Sequence, residues 1–488
     1  MVSASPAKET VRFQLLDVCR FIAAFAVLVF HWLYKGTETG MMDTVSYSPL
    51  AGVAAYGYLG VYFFFMISGF VIANSARDRP ASVFAVGRLV RLYPSFWVAV
   101  ILTSITALLI GGSIFAVTIP QFLANLTMIP SLFDQPLVDR SYWTLFCEIL
   151  FYGMVFVFLL VGLGKRLEVF YPAWALLMLV LTLLVPSIAA LPLLGTLYAY
   201  FAAGAIIRTI HRRGWHWWQA VGLAASFYVA ITFTLKEVAL INDAATGPYV
   251  QSVPVTAVVV CGFFAVMLIQ IIPKVTAWRI PKSYLLGALT YPLYLLHAHI
   301  GYMIFNRFAD DENKWLIYSL ALVLVLGLSY ALFNLVEQRP KKMWVAFFNN
   351  TAGRILRPIE RIPQRIKERR NRDDEPEDPG PPTIHRAGST PPGMCARRKN
   401  PSVPARVSGS RSDPGKRARH PRSPHNRTPQ PLRRARIQPP RSAEGLPGRD
   451  RSRAIRTRAD RVSPAPTPRA SFRQRRPCRR QWSAASAS

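Results

Sequence analysis

LLDVCRFIAAFAVLVFHWLY, Leu15 to Tyr34, is an apolar run of membrane-spanning length that carries Arg20 and His31 inside it. Ten residues separate the two. Eleven helical positions turn through about 1,100°, three turns and roughly 20° more, so both side chains lie on one face about 16 Å apart. Asp17, three positions before Arg20, shares that face and is within pairing reach of it. A guanidinium and an imidazole are costly in a bilayer, and such groups mark a functional site by default. The segment is read as a retained span: Ala24-Phe25-Ala26 imitates a signal-peptide cleavage site but lies mid-segment, after only a short apolar run.

Working outward, apolar stretches of similar length recur near 56–75, 94–111, 145–163, 170–188, 191–208, 217–235, 253–272, 284–305 and 315–336. The expected fold class is therefore an all-α polytopic membrane protein of about ten transmembrane helices. Loop charges agree with that count. Lys8 and Arg12 with Arg20, Arg77 to Arg91, Lys165 and Arg166, Arg208 to Arg213, Lys274 to Lys282, and Arg339 to Lys342 fall on one side of the membrane. Only Lys35, Arg140, Lys236, Arg307 and Lys314 fall on the other. An alternating excess of this kind places both termini in the cytoplasm.

The chain has 488 residues and a formal charge of +32, unevenly spread. Residues 1–350 hold 23 Lys and Arg against 15 Asp and Glu, whereas residues 351–488 hold 35 against 11. The expected organisation is a cytoplasmic N-terminus (1–14), a membrane domain (15–345), a basic juxtamembrane segment (346–380) and a disordered Arg- and Pro-rich tail (381–488). The Arg354 to Arg372 stretch suits the inner membrane surface, and the tail suits either anionic lipid or a shifted reading frame without function. No folded motif accompanies the tail's charge, so no nucleic-acid partner is expected. The five cysteines show neither metal-ligand nor disulfide spacing, and no metal site is expected.

With this orientation, Arg20 falls near the inner face with Arg88 and Arg91, whose i,i+3 spacing puts both guanidiniums on one side of a helix end. His31, Glu148 and His297 fall in the outer half, with His299 above. The arrangement suits group transfer across a membrane. Paired arginines grip the phosphates of a soluble activated donor, and an outer imidazole takes the proton of an acceptor hydroxyl while a carboxylate beside it fixes the tautomer. Each member also has a plainer reading: Arg88 and Arg91 as inner-side charges, Arg20 as a snorkelling anchor, Glu148 as an interfacial cap, His31 as a satisfied interhelical hydrogen bond, and His297 and His299 as packing residues. Glu337 is expected to pair structurally with Arg339. A saccharide transporter using the His and Glu groups as a proton relay is the competing function, although paired broken helices and half-to-half symmetry are absent from the sequence.

At these residues the chain resembles the acyltransferase-3 family of integral membrane acyltransferases. Arg20 and His31 match its Arg, ten residues, His motif; Gly60 to Ile72 (GVYFFFMISGFVI) matches a second block and Arg88-Leu89-Val90-Arg91-Leu92-Tyr93-Pro94 a third. Asn125-Leu126-Thr127 to Pro130 with Trp143 to Glu148 and Phe151-Tyr152, then Tyr291 to His297, then Glu337 to Pro340 supply the rest. Tyr62, where an acidic residue is common, and Cys147, where a small or aliphatic one is common, depart from the pattern.

The resemblance implies an O-acyltransferase of the bacterial inner membrane. Acyl-CoA, often acetyl-CoA, is the cytoplasmic donor, and a carbohydrate or glycolipid hydroxyl at the outer face is the acceptor. By matching position, His31 is the catalytic base, Arg20 its motif partner and Glu148 an essential acid. Arg88 and Arg91 bind the donor, and Ser68-Gly69 allows close helix approach along the donor path. Acceptor binding then falls to the short outer loops, including 112–142, which either dips into the outer leaflet or lies along it.

Overall fold

The structure, a computed structural model, describes residues 13–76 and 79–360, and these are helical without any strand. The main helices are α1 (Gln14–Glu38), α2 (Ala51–Ser75), α3 (Ala81–Ile110), α4 (Arg140–Leu160), α5 (Gly164–Leu184), α6 (Tyr198–Arg213) and α7 (Trp217–Ala244). They continue as α8 (Val253–Ile269), α9 (Ser283–Leu296), α10 (Ala298–Phe308), α11 (Lys314–Gln338) and α12 (Lys341–Asn350). Among the described residues seven of them, α1 to α5, α7 and α11, are long and apolar enough to cross a membrane.

The other three expected spans fall on shorter helices. The 191–208 stretch begins as irregular chain and becomes helical only at Tyr198. The resulting α6 is buried on all sides, with Ala199 to Ala203 and Ala205 to Ile207 fully shielded, so it packs inside the bundle rather than against lipid. At 253–272 the helix, α8, ends at Ile269. The 284–305 stretch breaks at His297, between α9 and α10. There the imidazole Nδ1 donates to the Tyr294 carbonyl (2.7 Å), Tyr142 Oη to the Leu295 carbonyl (3.0 Å) and Trp32 Nε1 to the His297 carbonyl (2.7 Å). Side chains inserted into a helix's carbonyl ladder interrupt it.

The α1 helix is the seam between two apolar clusters. Leu16, Ala23 and Val27 belong to one, built mainly from α2 and α4 to α8, whereas Ala24, Leu28 and Trp32 belong to the other, built mainly from α3, α9, α10 and α11. Close approach of α2 to its neighbours depends on small residues. A Cβ on Gly60 would crowd the Ala23 carbonyl of α1, one on Gly69 would meet the Phe201 carbonyl of α6, and one on Gly204 the Met66 carbonyl of α2. Backbones separated by hydrogen alone are the usual basis of tight helix packing in a bilayer.

The 112–142 loop is an ordered element rather than a slack connection. Thr118 and Gln121 cap a short helix, Ile119–Asn125, reciprocally. Buried Asn125 then closes the loop, donating to the Gln121 and Pro136 carbonyls and accepting from the Val138 amide. Ile119, Leu123, Leu132 and Phe133 point outward. At the other end α12 lies on α3 through Trp97, Trp344 and Phe348. Glu360 caps the α3 N-terminus from outside, accepting from the Ala81 and Ser82 amides and the Ser82 hydroxyl. Cys19, Cys147 and Cys261 are free thiols. Cys395, Cys478, the N-terminal segment to residue 12 and the tail from residue 361 lie outside the described residues.

Candidate active site

One face of α1 carries Asp17, Arg20, Val27 and His31, and two cavities lie along it. The larger, about 480 Å³, is lined by Asp17, Arg20, Ser68, Arg88, Arg91, Glu148, Tyr152, Tyr291 and Glu337. The smaller, about 190 Å³, is lined by Val27, His31, Lys35, Glu38, Tyr58, Tyr62, Arg140, Trp143, Glu237 and Gln251. Arg20 and His31 thus face the same seam but open into different cavities, as their helical spacing requires. Val61 and Tyr294 belong to both linings.

The arginine cavity draws on α1, α2, α3, α4, α9 and α11. Arg91 forms an ion pair with Glu337 (2.7 Å) and lies over the Tyr291 ring, while the second Glu337 oxygen accepts from Ser95 (2.7 Å). The expected Glu337–Arg339 pairing is therefore replaced. Residues two apart on a helix do not face each other, and Glu337, within a π-helical turn over Leu332–Gln338, is turned toward α3. Arg88 lies over Phe84 and Tyr152, each ring 5.9 Å from its guanidinium carbon, and among the described residues no carboxylate pairs with it.

Glu148 accepts from Ser68 (2.7 Å) and from Tyr152. Reading helix depth alone puts Glu148 level with His31, yet it opens into the arginine cavity, so it is not the carboxylate beside the imidazole. Ser68 lines that cavity, whereas Gly69, one position on, faces α6 and serves helix packing.

In the histidine cavity a second π-helical turn, His31–Lys35, begins at the imidazole itself. His31 Nδ1 is hydrogen-bonded to Tyr302 (2.6 Å), and its ring lies edge-on to His297 with centroids 4.9 Å apart. A carbonyl only accepts, so the His297 bond to Tyr294 makes Nδ1 its protonated nitrogen; Nε2 is buried and has no partner among the described residues. His299 is a packing residue whose Nε2 accepts from the Arg140 amide (3.3 Å). Asp139, fully buried, accepts from the Ser141 amide and hydroxyl and from the His299 amide, tying the 112–142 loop to α10. Across the cavity Glu237 accepts from Tyr62, and Glu38 from Tyr47 and the Thr246 and Gly247 amides.

Tyr302, Asp139, Glu38 and Glu237 carry no motif, and sequence reading passes over them; Tyr294 lies in the Tyr291 to His297 block without being singled out. An acid at Glu237, in the last third of α7, is the signal the sequence offers. Among the described residues no group of His, Cys, Asp and Glu is arranged to hold a metal ion.

Spanning helices around a seam of ionisable groups define an integral membrane protein with a chemical or transport interior. The sequence profile that matches is an acyltransferase domain, over residues 13–334, and the chain belongs to the acyltransferase-3 family. Acyltransferase MdmB of Streptomyces mycarofaciens is 28% identical over 155 residues, covering 30% of this chain and 38% of that protein. The chain thus spans well under half the length of this curated relative. No solved structure matches it.

Proposed function

We propose that the protein moves an acyl group, acetyl in the simplest case, from cytoplasmic acyl-CoA to a carbohydrate or glycolipid hydroxyl at the outer face of the bacterial inner membrane. The observation that carries this reading is the pair of cavities along α1, one lined by arginines and the other by histidine, with Val61 and Tyr294 common to both. The topology that goes with it has ten passes, α6, α8 and the broken α9–α10 completing the count, and both termini cytoplasmic.

The donor's phosphates lie by Arg88, whose fork matches phosphate geometry, while Arg91, paired with Glu337, fixes the wall beside it. Ser68, Tyr152 and Glu148 hold one wall of that cavity, Gly69 lets α2 approach α6 closely behind it, and Arg20 and Glu148 balance charge along the path. The thioester reaches toward His31. The acceptor hydroxyl gives its proton to the imidazole as its oxygen bonds to the thioester carbon; the carbon–sulfur bond then breaks, and the departing thiolate takes up the proton. Tyr302 orients the ring by holding Nδ1, the task that a carboxylate performs in other imidazole bases.

Transfer of labelled acetyl from acetyl-CoA to envelope glycan in membranes tests this, with wild type and His31→Ala compared at equal protein level. Label that disappears in the variant supports the reading, and equal labelling removes His31 from the chemistry. Saccharide flux without new ester bonds would point to transport instead.

A further inference from the structure

We propose that a third cavity, away from the seam along α1, holds the phosphate of an anionic phospholipid headgroup. The cavity, about 290 Å³, lies where the ends of α2, α5 and α6 meet, and it shares no lining residue with the two cavities along α1. Its charged walls are Lys165 and Glu168 of α5 with Arg208, Arg212 and Arg213 of α6, four cations to one carboxylate. Glu168 is engaged twice, by Arg212 and by Arg213. Arg208 is braced from α2, donating through Nη2 (2.6 Å) and Nε (3.1 Å) to Asn74 Oδ1.

Two observations point to a ligand. Arginine and lysine carry donors and no acceptor, so the complement of this lining is an anion rich in acceptors, and guanidinium forks match phosphate. Independently, Tyr171 forms part of the wall at 1% exposure, and its hydroxyl is buried with no partner among the described residues. A buried hydroxyl left unbonded is costly, and a phosphate oxygen in the cavity accepts from it. An excess of cations on one side of a membrane accounts for the sign of the charge, but for neither the cavity nor the buried donor. Depth favours a lipid over a soluble phosphate. Exposed Trp215 and Trp217 follow Arg213 within four residues, and indoles so placed sit at headgroup level. Basic pockets between helices at that level take anionic headgroups.

The test is thermal melting of the detergent-purified, delipidated full chain titrated with phosphatidylglycerol, phosphatidylcholine or inorganic phosphate. Wild type is compared with Tyr171→Phe, Lys165→Gln and Arg213→Gln. A ligand that binds the folded state raises the midpoint, and lipid gathered by the basic residues after 360 is common to all four proteins. Phosphatidylglycerol should raise the wild-type midpoint and phosphatidylcholine should not. The phosphatidylglycerol needed for half the shift should rise about fivefold in each variant. Tyr171→Phe is the decisive one, because it removes a hydroxyl that bonds nothing in the lipid-free protein. Its midpoint without lipid should stay at or above wild type while its response to lipid weakens. No wild-type shift, a response equal in all four proteins, or one equal for the two lipids overturns the site. A shift with inorganic phosphate that phosphatidylglycerol does not exceed overturns the lipid and puts a soluble phosphate in its place. None of these readouts depends on acyl transfer.

Discussion

Arg91 and Glu337, 246 residues apart in sequence, meet at 2.7 Å across α3 and α11. The contact makes the two arginines of the RxxR segment unequal. Arg91 is committed to a carboxylate and to the Tyr291 face, while Arg88 lies over aromatic rings and pairs with no carboxylate among the described residues. The paired spacing on the helix suggests a matched grip, and the tertiary structure separates it into an ion-paired guanidinium and one stacked on aromatic rings.

Arg88→Ala should therefore raise the KM for acyl-CoA with little change in thermal stability. Arg91→Ala should also destabilise, by about 1–3 kcal/mol, because Glu337 is left with an unmatched charge. Glu337→Gln in the Arg91→Ala background should recover part of that loss. Detergent-solubilised melting curves alongside donor titrations separate the two effects, and equal stability of the two single variants would refute the distinction.

His31→Ala should lower the transfer rate by about 100-fold or more, the usual contribution of a general base. Tyr302→Phe removes the 2.6 Å bond to Nδ1 but keeps the ring, so the rate should drop about tenfold without loss of fold. A Tyr302→Phe protein with wild-type kcat would show that the imidazole is oriented by something else.

Gly69→Ala puts a methyl group against the Phe201 carbonyl, and Gly204→Ala does the same against Met66. Each should cost about 1–3 kcal/mol and reduce the folded yield in membranes. Ser68→Ala, one position earlier, adds no volume; it removes the bond to Glu148 and should leave yield near wild type while altering activity. Fluorescence size-exclusion of tagged protein measures the yields, and a well-folded Gly69→Ala would contradict the packing role.

Asp139→Ala strands the Ser141 and His299 amides in a buried place and should loosen the 112–142 loop. Protease cleavage within residues 112–142 should then quicken in intact membranes, with a loss of activity of similar onset. Unchanged cleavage would mean that the Asn125 hydrogen bonds hold the loop alone.

Deleting residues 381–488 should leave transfer nearly intact, because every side chain assigned to the chemistry lies before residue 350. Loss of activity in a truncated protein that is correctly inserted would give the tail a role.

Much of this molecule is legible in its sequence. Apolar runs of bilayer length report helices directly, since a backbone in lipid must satisfy its own hydrogen bonds. The helical period alone put Arg20 and His31 on one face. Side chains such as Tyr302 and Glu237 stayed hidden, because a tyrosine or a lone acid in an apolar helix has no spacing that announces its partner.

The amino-acid order therefore determined the helical membrane architecture, the family and the seam along α1, all of which follow from local periodicity and from motifs read along one strand of chain. Tertiary structure alone decided that Glu148 belongs with the arginines, that Glu337 takes Arg91 instead of Arg339, and that Val61 and Tyr294 line both cavities. Glycines let α2 approach its neighbours closely, and Glu337 lies within a π-helical turn. A turn of that kind rotates every later side chain by an amount that no repeat in the sequence records.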